Sequence, residues 1–319
     1  MVLSFAEVEA ARERISPYIL RTPLLRVPAL DAVLGCEVYL KPENLQYTGS
    51  FKLRGATNRL LAMTEEQRRC GVVAASSGNH AQGVACAAKR LGVDAVIIMP
   101  TNCNPVKLAG VKAFGATVLL VGTLSSQREE RAAELVEREG RTSVPPFADP
   151  YVAAGQGTIG LEILEDCAEL DTVVVPIGGG GLISGVATAV KGIRPGIRVI
   201  GVEPAGAPRY SKSRAAGHPI KLESVSTIAD GTRTDHADPN NFATIERLVD
   251  ELVTAEDEEI RRAMKTVVSI AKIVAEPSSV MGIAAALAGT LPVKPGEKVC
   301  FVLSGGNNDL NLLADVITK

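Results

Sequence analysis

Four short segments of this sequence hold residue types that could do chemistry together. In the first, KPENLQYTGSFKLRGATNRL, Lys52 stands between Phe51 and Leu53, just after a Thr-Gly-Ser turn and at the start of an apolar-periodic helix. A lysine so placed is poorly solvated. Desolvation disfavours the ammonium, lowers the pKa and leaves an amine able to attack an aldehyde or act as a base. The competing reading is a surface lysine whose charged head snorkels out to water.

The second segment is Gly178, Gly179, Gly180, Gly181 and Leu182, between an aliphatic run and the helical stretch Ile183 to Ile193. Four glycines let consecutive backbone N–H groups converge at a helix N-terminus, an anion site suited to a phosphate. A tight strand-to-helix turn is the alternative, although one or two glycines would serve it. Counting G-x-G-x-x-G from Gly178 or Gly179 puts Ile183 or Ser184 where the third glycine should stand, and no Lys-Ser/Thr follows, so dinucleotide and P-loop signatures are excluded.

The third is Ser76-Ser77-Gly78-Asn79-His80, a junction of hydroxyl, amide and imidazole groups with free helix N–H groups that suits a carboxylate. A plain N-cap needs only one such residue. His80 is assigned no proton-transfer role. The fourth is Ser304-Gly305-Gly306-Asn307, behind the last aliphatic run.

Positioning these segments requires a framework of strands and helices. Short Val- and Ile-rich runs at Val72 to Ala75, Ala95 to Pro100, Thr117 to Val121, Thr172 to Pro176, Val199 to Val202 and Val299 to Leu303 read as buried strands. Helix-period stretches lie between them, among them Gly83 to Leu91, Val106 to Phe114, Gln127 to Glu139 and Asp257 to Ile273. Ser4 and Glu7 have the spacing of a capping box. The alternation predicts α/β architecture with mostly parallel sheets covered on both faces. In such sheets ligands gather at the carboxyl ends of strands, so three of the polar loops can face one site. Residues 69–148 group into a small α/β domain carrying the carboxylate loop. Residues 1–68 and 149–319 together form a larger, discontinuous, cofactor-binding domain.

Composition narrows the classes. The 319 residues carry 46% hydrophobic and 22% charged side chains and a net charge of -2, an ordinary globular balance without an electrostatic footprint for nucleic acid or anionic lipid. Six dispersed cysteines without a CxxC pair read as free thiols of a reducing compartment. The acidic N-terminal stretch lacks a signal-peptide core and no 18-residue apolar run occurs, which leads to the expectation of a cytoplasmic chain.

Together, S-F-K-x-R-G, S-S-G-N-H-x-Q, G-G-G-G-L and S-G-G-N, in this order, strongly resemble the fold type II pyridoxal-phosphate enzymes, within them the serine/threonine dehydratase and serine racemase branch. The resemblance runs from about Ile15 to Leu310. It implies a tryptophan-synthase-β-like pair of domains, each an open, mostly parallel twisted sheet flanked by helices, with pyridoxal 5'-phosphate as cofactor. It implies that Lys52 is the Schiff-base lysine, that Gly178, Gly179, Gly180, Gly181 and Leu182 hold the phosphate, that Asn79 bonds the ring hydroxyl and that Ser304 faces the pyridine nitrogen. Phe51 and Gly231 join this cofactor set. A neutral serine there makes the ring a weaker electron sink than a carboxylate partner would.

The same resemblance implies that the substrate carboxylate docks on Ser76, Ser77, Asn79 and His80 and that Thr234 aligns with a serine touching substrate in racemases. The freed Lys52 then removes the α-proton, and a small L-β-hydroxy-amino acid such as L-threonine or L-serine becomes a 2-oxo acid and ammonia. Dehydratases of this branch often carry alanine where Ser77 stands, whereas racemases carry serine as the base opposite the lysine, so serine racemisation is the alternative activity. Racemase-like members bind a divalent ion near E-P-x-x-A-x-D, but here the run is Glu203-Pro204-Ala205-Gly206-Ala207-Pro208-Arg209. Arg209 replaces the acidic ligand, and no tightly bound metal is expected. Asp235-His236-Ala237-Asp238 departs from the family pattern near the substrate side, which leaves the exact substrate open. A homodimer is the family expectation, and because the chain stops soon after Ser304-Gly305-Gly306-Asn307 the C-terminal regulatory domain of feedback-inhibited biosynthetic dehydratases is not expected.

Overall fold

Short β-branched runs make the strands of two sheets, in a computed structural model that describes residues 2–76, 78–103 and 105–319. The strands are β1 (Leu25–Arg26), β2 (Glu37–Pro42), β3 (Val72–Ala75), β4 (Ala95–Met99), β5 (Thr117–Leu120), β6 (Thr142–Ser143), β7 (Thr172–Pro176), β8 (Arg198–Pro204), β9 (Glu251–Ala255) and β10 (Lys298–Leu303). The 6-stranded sheet has the order β1-β2-β10-β7-β8-β9, with β1 and β2 antiparallel and every other pair parallel. The 4-stranded sheet, β5-β4-β3-β6, is parallel throughout, and all its strands lie between residues 72 and 143. Parallel strands need cover on both faces. On the larger sheet, helices Asp257–Thr266 and Met281–Leu287 close one face, while Pro150–Asp166 and Gly181–Ile193 close the other.

Each of the six aliphatic runs appears as a strand, and the Ser4/Glu7 capping box forms, with Ser4 N–H donating to Glu7 Oε2 at 2.8 Å. The helix beginning at Asp257 ends at Thr266 rather than Ile273. A π turn over Val267–Ala271 follows and closes on Lys272, whose φ of +60° breaks the helix. Four strands lay outside the sequence expectation. β1 and β6 have two residues each, too few for a pattern. β9 is mostly half-buried, and β2 hides its apolar run behind Lys41, which is fully buried.

Lys41 belongs to a buried charge network that anchors the functional loop. Its Nζ donates to Glu162 Oε2 at 2.6 Å, and the Arg54 guanidinium pairs with Glu162 at 2.6 Å and Glu43 at 2.8 Å. Thr22 Oγ1 donates to Glu43 as well. Two cations face two carboxylates, so the cluster closes without net charge. Burial would push the Glu162 carboxyl up, but Arg54 and Lys41 outweigh it and hold it below its ordinary value.

Arg54 sits one turn into helix Lys52–Leu61, so this network fixes the start of the helix that carries Lys52. The same helix turns Leu53, Ala56 and Leu60 into the core of the smaller sheet. It therefore forms a seam between the two sheets, although its residues precede the run that builds the smaller one. The seam is tight: a Cβ at Gly83 would come within 3.0 Å of the Lys52 carbonyl carbon.

Removing one partner from a buried pair leaves an uncompensated charge, a cost of about 3–5 kcal/mol. Glu162→Ala, which strips Lys41 and Arg54 of a shared carboxylate, is expected to lose stability on that scale in urea unfolding. A loss like that of an exposed ion pair would show that water enters the network.

Candidate active site

The loops that follow β3, β7 and β10 open into one cavity of about 540 Å³. Phe51, Lys52, Ser76, Asn79 and His80 line it. Gly178, Gly179, Gly180, Gly181, Leu182, Gly231, Thr234 and Ser304 line it as well. Ser77 lies outside the described residues. Every other residue singled out in the sequence for cofactor or substrate is thus brought to a single space.

Lys52 Nζ donates to the Pro146 carbonyl at 2.6 Å and lies 5.1 Å from the centre of the Phe51 ring. Enclosure lowers its pKa to about 8, partly opposed by the Glu276 carboxyl. The loop before the lysine is zipped to the loop after β10. Phe51 N–H donates to Ser304 O at 3.0 Å, Gly306 N–H donates to Gly49 O at 2.9 Å, and Ser50 pairs with Gly305 in an antiparallel bridge. These main-chain contacts tie the Lys52 loop to the Ser304 loop.

The glycine turn is built by close approach. A Cβ on Gly179 would come within 2.0 Å of the Phe147 ring, and one on Gly180, at φ +87°, within 2.4 Å of Tyr210 Oη. Helix Gly181–Ile193 begins directly behind, so its unpaired N–H groups and positive end face an anion. This cradle and the enclosed amine fit a ligand bearing an aldehyde at one end and a phosphate at the other.

Asn79 Nδ2 donates to Glu276 Oε1 at 2.7 Å, and Asn79 Oδ1 accepts from Asn307 at 2.8 Å. Burial first, and Asp230 second, push the Glu276 carboxyl up to about 8. Ser304 Oγ lies 3.1 Å from Ser279 Oγ, which also donates to Gly305 O at 2.6 Å. Across the mouth, Lys107 pairs with Asp230. Glu276, Ser279 and Lys107 were not legible in the sequence, whereas Asp230 lies in the family-like segment Thr227-Ile228-Ala229-Asp230-Gly231: Glu276 and Ser279 sit in the irregular run Ala-Glu-Pro-Ser-Ser, and Lys107 looks like an ordinary helix-surface lysine.

The structure shows which group of His80 is available. His80 Nε2 lies 2.8 Å from Val144 O, and a carbonyl only accepts, so Nε2 carries the hydrogen. Nδ1, buried without a partner, is then an acceptor. Burial, with Lys52 nearby, lowers the ring's pKa to about 3 and keeps it neutral. A carboxylate has no hydrogen to offer Nδ1. His80 can serve a carboxylate only through its main-chain N–H in the first turn of helix Asn79–Leu91.

A mostly parallel α/β protein with a desolvated amine and a four-glycine turn lining one cavity has the groups that a phosphorylated carbonyl cofactor requires. The family of pyridoxal-phosphate dependent enzymes matches residues 15–305, and the chain belongs to it. It is 43% identical over 318 residues to the L-threonine ammonia-lyase of Thermotoga maritima, covering 100% of this chain and 79% of that protein. To the catabolic L-threonine dehydratase TdcB of Staphylococcus aureus it is 41% identical, covering 99% of this chain and 92% of the relative. Maize serine racemase superposes with a TM-score of 0.95 at 39% identity, covering 100% of this chain and 98% of that one.

Only the uncharged amine adds to an aldehyde, so a pKa lowered to about 8 moves the onset of addition down from the usual lysine range near 10.5. The rate at which the apo chain combines with pyridoxal phosphate, followed by visible absorbance, is expected to rise through about pH 8. Glu276→Gln should move that midpoint lower, because the carboxylate raises it. A rise centred in the ordinary lysine range would show the amine to be solvated.

Proposed function

We propose that this chain is a pyridoxal-phosphate dependent ammonia-lyase that converts L-threonine, L-serine or both to a 2-oxo acid and ammonia by α,β-elimination. The observation that carries the proposal is the enclosed Lys52 amine in one cavity with the glycine turn and Ser304. The similarity to L-threonine ammonia-lyase and dehydratase over nearly the whole chain supports the substrate class.

When bound, the pyridoxal group withdraws electrons from the substrate's α-carbon and acidifies its hydrogen. Lys52 would hold the cofactor by its aldehyde and, as a neutral amine, would take the substrate's α-hydrogen, a general-base step worth roughly 10²- to 10⁴-fold. Phe51 and Gly231 would flank the cofactor, and Gly178, Gly179, Gly180, Gly181 and Leu182 would hold its phosphate. Asn79, fixed between Glu276 and Asn307, would orient the ring hydroxyl, and Ser304 would meet the ring nitrogen. The substrate carboxylate is received by Ser76, Ser77, Asn79 and the His80 main chain, with Thr234 on the side-chain flank. A cytoplasmic homodimer is the matching proposal for place and assembly.

A second reading is serine racemisation, with Ser77 as the base opposite Lys52; the serine at 77 and the likeness to maize serine racemase favour it. Lys52→Ala is expected to abolish 2-oxo acid formation from L-threonine and L-serine. Ser77→Ala should retain elimination from the L-isomer and lose interconversion of L- and D-serine; equal loss of both would remove the separate role of Ser77.

No tight divalent metal site is proposed at Glu203. Its carboxylate already accepts from Tyr210 N–H at 2.9 Å and from Ser211 N–H and Oγ at 2.8 Å each, and the buried Arg209 guanidinium lies 3.9 Å away. Calorimetric titration with Mg²⁺ or Mn²⁺ is expected to give no stoichiometric binding, whereas tight binding lost in Glu203→Gln would contradict this.

A further inference from the structure

Arg209 is fully buried, yet its nearest carboxylate oxygen, on Glu203, is 3.9 Å from Nε. Burying a guanidinium without a close counter-ion is costly, so its hydrogen bonds identify what it stabilises. Nη2 donates to Ala207 O at 2.6 Å, and Nη1 donates to Thr234 Oγ1 and, at 2.6 Å, to the carbonyl of Gly178. The next residue continues the pattern. Tyr210 Oη donates to Gly179 O at 2.9 Å, where Asn241 Nδ2 donates too, also at 2.9 Å. Neither Arg209 nor Tyr210 is among the described residues lining the cavity.

In a trans peptide the carbonyl of one residue and the N–H of the next point in opposite directions. Holding the Gly178 carbonyl towards Arg209 turns the Gly179 N–H the other way. Holding the Gly179 carbonyl towards Tyr210 and Asn241 does the same for the Gly180 N–H. Among the described residues, neither of these two N–H groups has a hydrogen-bond acceptor. The guanidinium also polarises the peptide unit it grips, which strengthens the donor at its far end.

We propose that Arg209 and Tyr210 are positioning residues that grip the glycine turn from behind and aim the Gly179 and Gly180 N–H groups at the cofactor's phosphate, without touching it. The proposal rests on the assignment of the turn to that phosphate. Arg209 suits the task because its planar fork reaches Gly178 and Ala207 at once, which a single ammonium does less well.

The test compares two ligands that differ only in the phosphate. Dissociation constants of pyridoxal phosphate and of pyridoxal are measured on the full apo chain for the wild type, Arg209→Lys, Arg209→Met and Tyr210→Phe. Arg209→Met is expected to weaken pyridoxal phosphate at least about ten-fold, the scale of a lost hydrogen bond to a charged group, and to leave pyridoxal unchanged. Arg209→Lys should recover part of the loss, and Tyr210→Phe should show a smaller one, because Asn241 still holds Gly179.

Equal weakening of both ligands would assign Arg209 to general stability, and an undiminished preference for the phosphate would remove the positioning role; either result overturns the proposal. Should Arg209→Met fail to fold, Arg209→Lys and Tyr210→Phe carry the comparison, and full phosphate preference in both overturns it. A wild-type chain without any preference for the phosphorylated ligand would instead defeat the assignment of the turn itself.

Discussion

The cost of taking an ammonium out of water is the constraint on which this molecule turns. Lys52 is held where water reaches it poorly, it donates a short hydrogen bond to a main-chain carbonyl, and burial lowers its pKa to about 8. Desolvation of this kind is maintained only if the surrounding backbone cannot relax. The pairing of the Lys52 loop with the loop after β10, the close packing of Gly83 on the Lys52 backbone and the buried Arg54 network each remove a way for the lysine to swing outward.

Those supports also explain the division of labour between the sheets. The larger sheet delivers the glycine turn and Ser304 from the ends of β7 and β10, while the smaller delivers Ser76, Asn79 and His80 from beyond the end of β3. Lys52 lies on the helix between them. The cavity is therefore a seam, bounded by groups from both sheets and bridged at its mouth by Lys107 and Asp230. Arg209 takes up a position behind the turn where its cation faces carbonyl oxygens more closely than it faces Glu203.

Much of this was legible in the sequence because the signals were local. Aliphatic runs bounded by polar turns marked six strands, and glycine or hydroxyl clusters behind three of them marked the cavity. The unread parts depend on contacts between distant segments. Nothing adjacent to Lys41 announces that Glu162 will neutralise it 121 residues away, so β2 was hidden behind a charge. Glu276 becomes an elevated carboxyl because the fold buries it and brings Asp230 near, against the lowering effect of the hydrogen bond from Asn79. For His80 the residue type pointed towards the site, but the Val144 carbonyl fixes the ring hydrogen and leaves only the main-chain N–H for an anion. Glycines predicted for phosphate binding also prove necessary for packing: Phe147 and Tyr210 occupy the space that side chains on Gly179 and Gly180 would fill.

The central claim is that one amine and one anion cradle share a single ligand. A crystal structure of the chain loaded with pyridoxal phosphate tests it most directly. Continuous density from Lys52 Nζ to the cofactor, with the phosphate within hydrogen-bonding distance of the Gly179 to Gly181 N–H groups, is the predicted result. Attachment at another lysine, or a phosphate seated away from the glycines, would contradict the account.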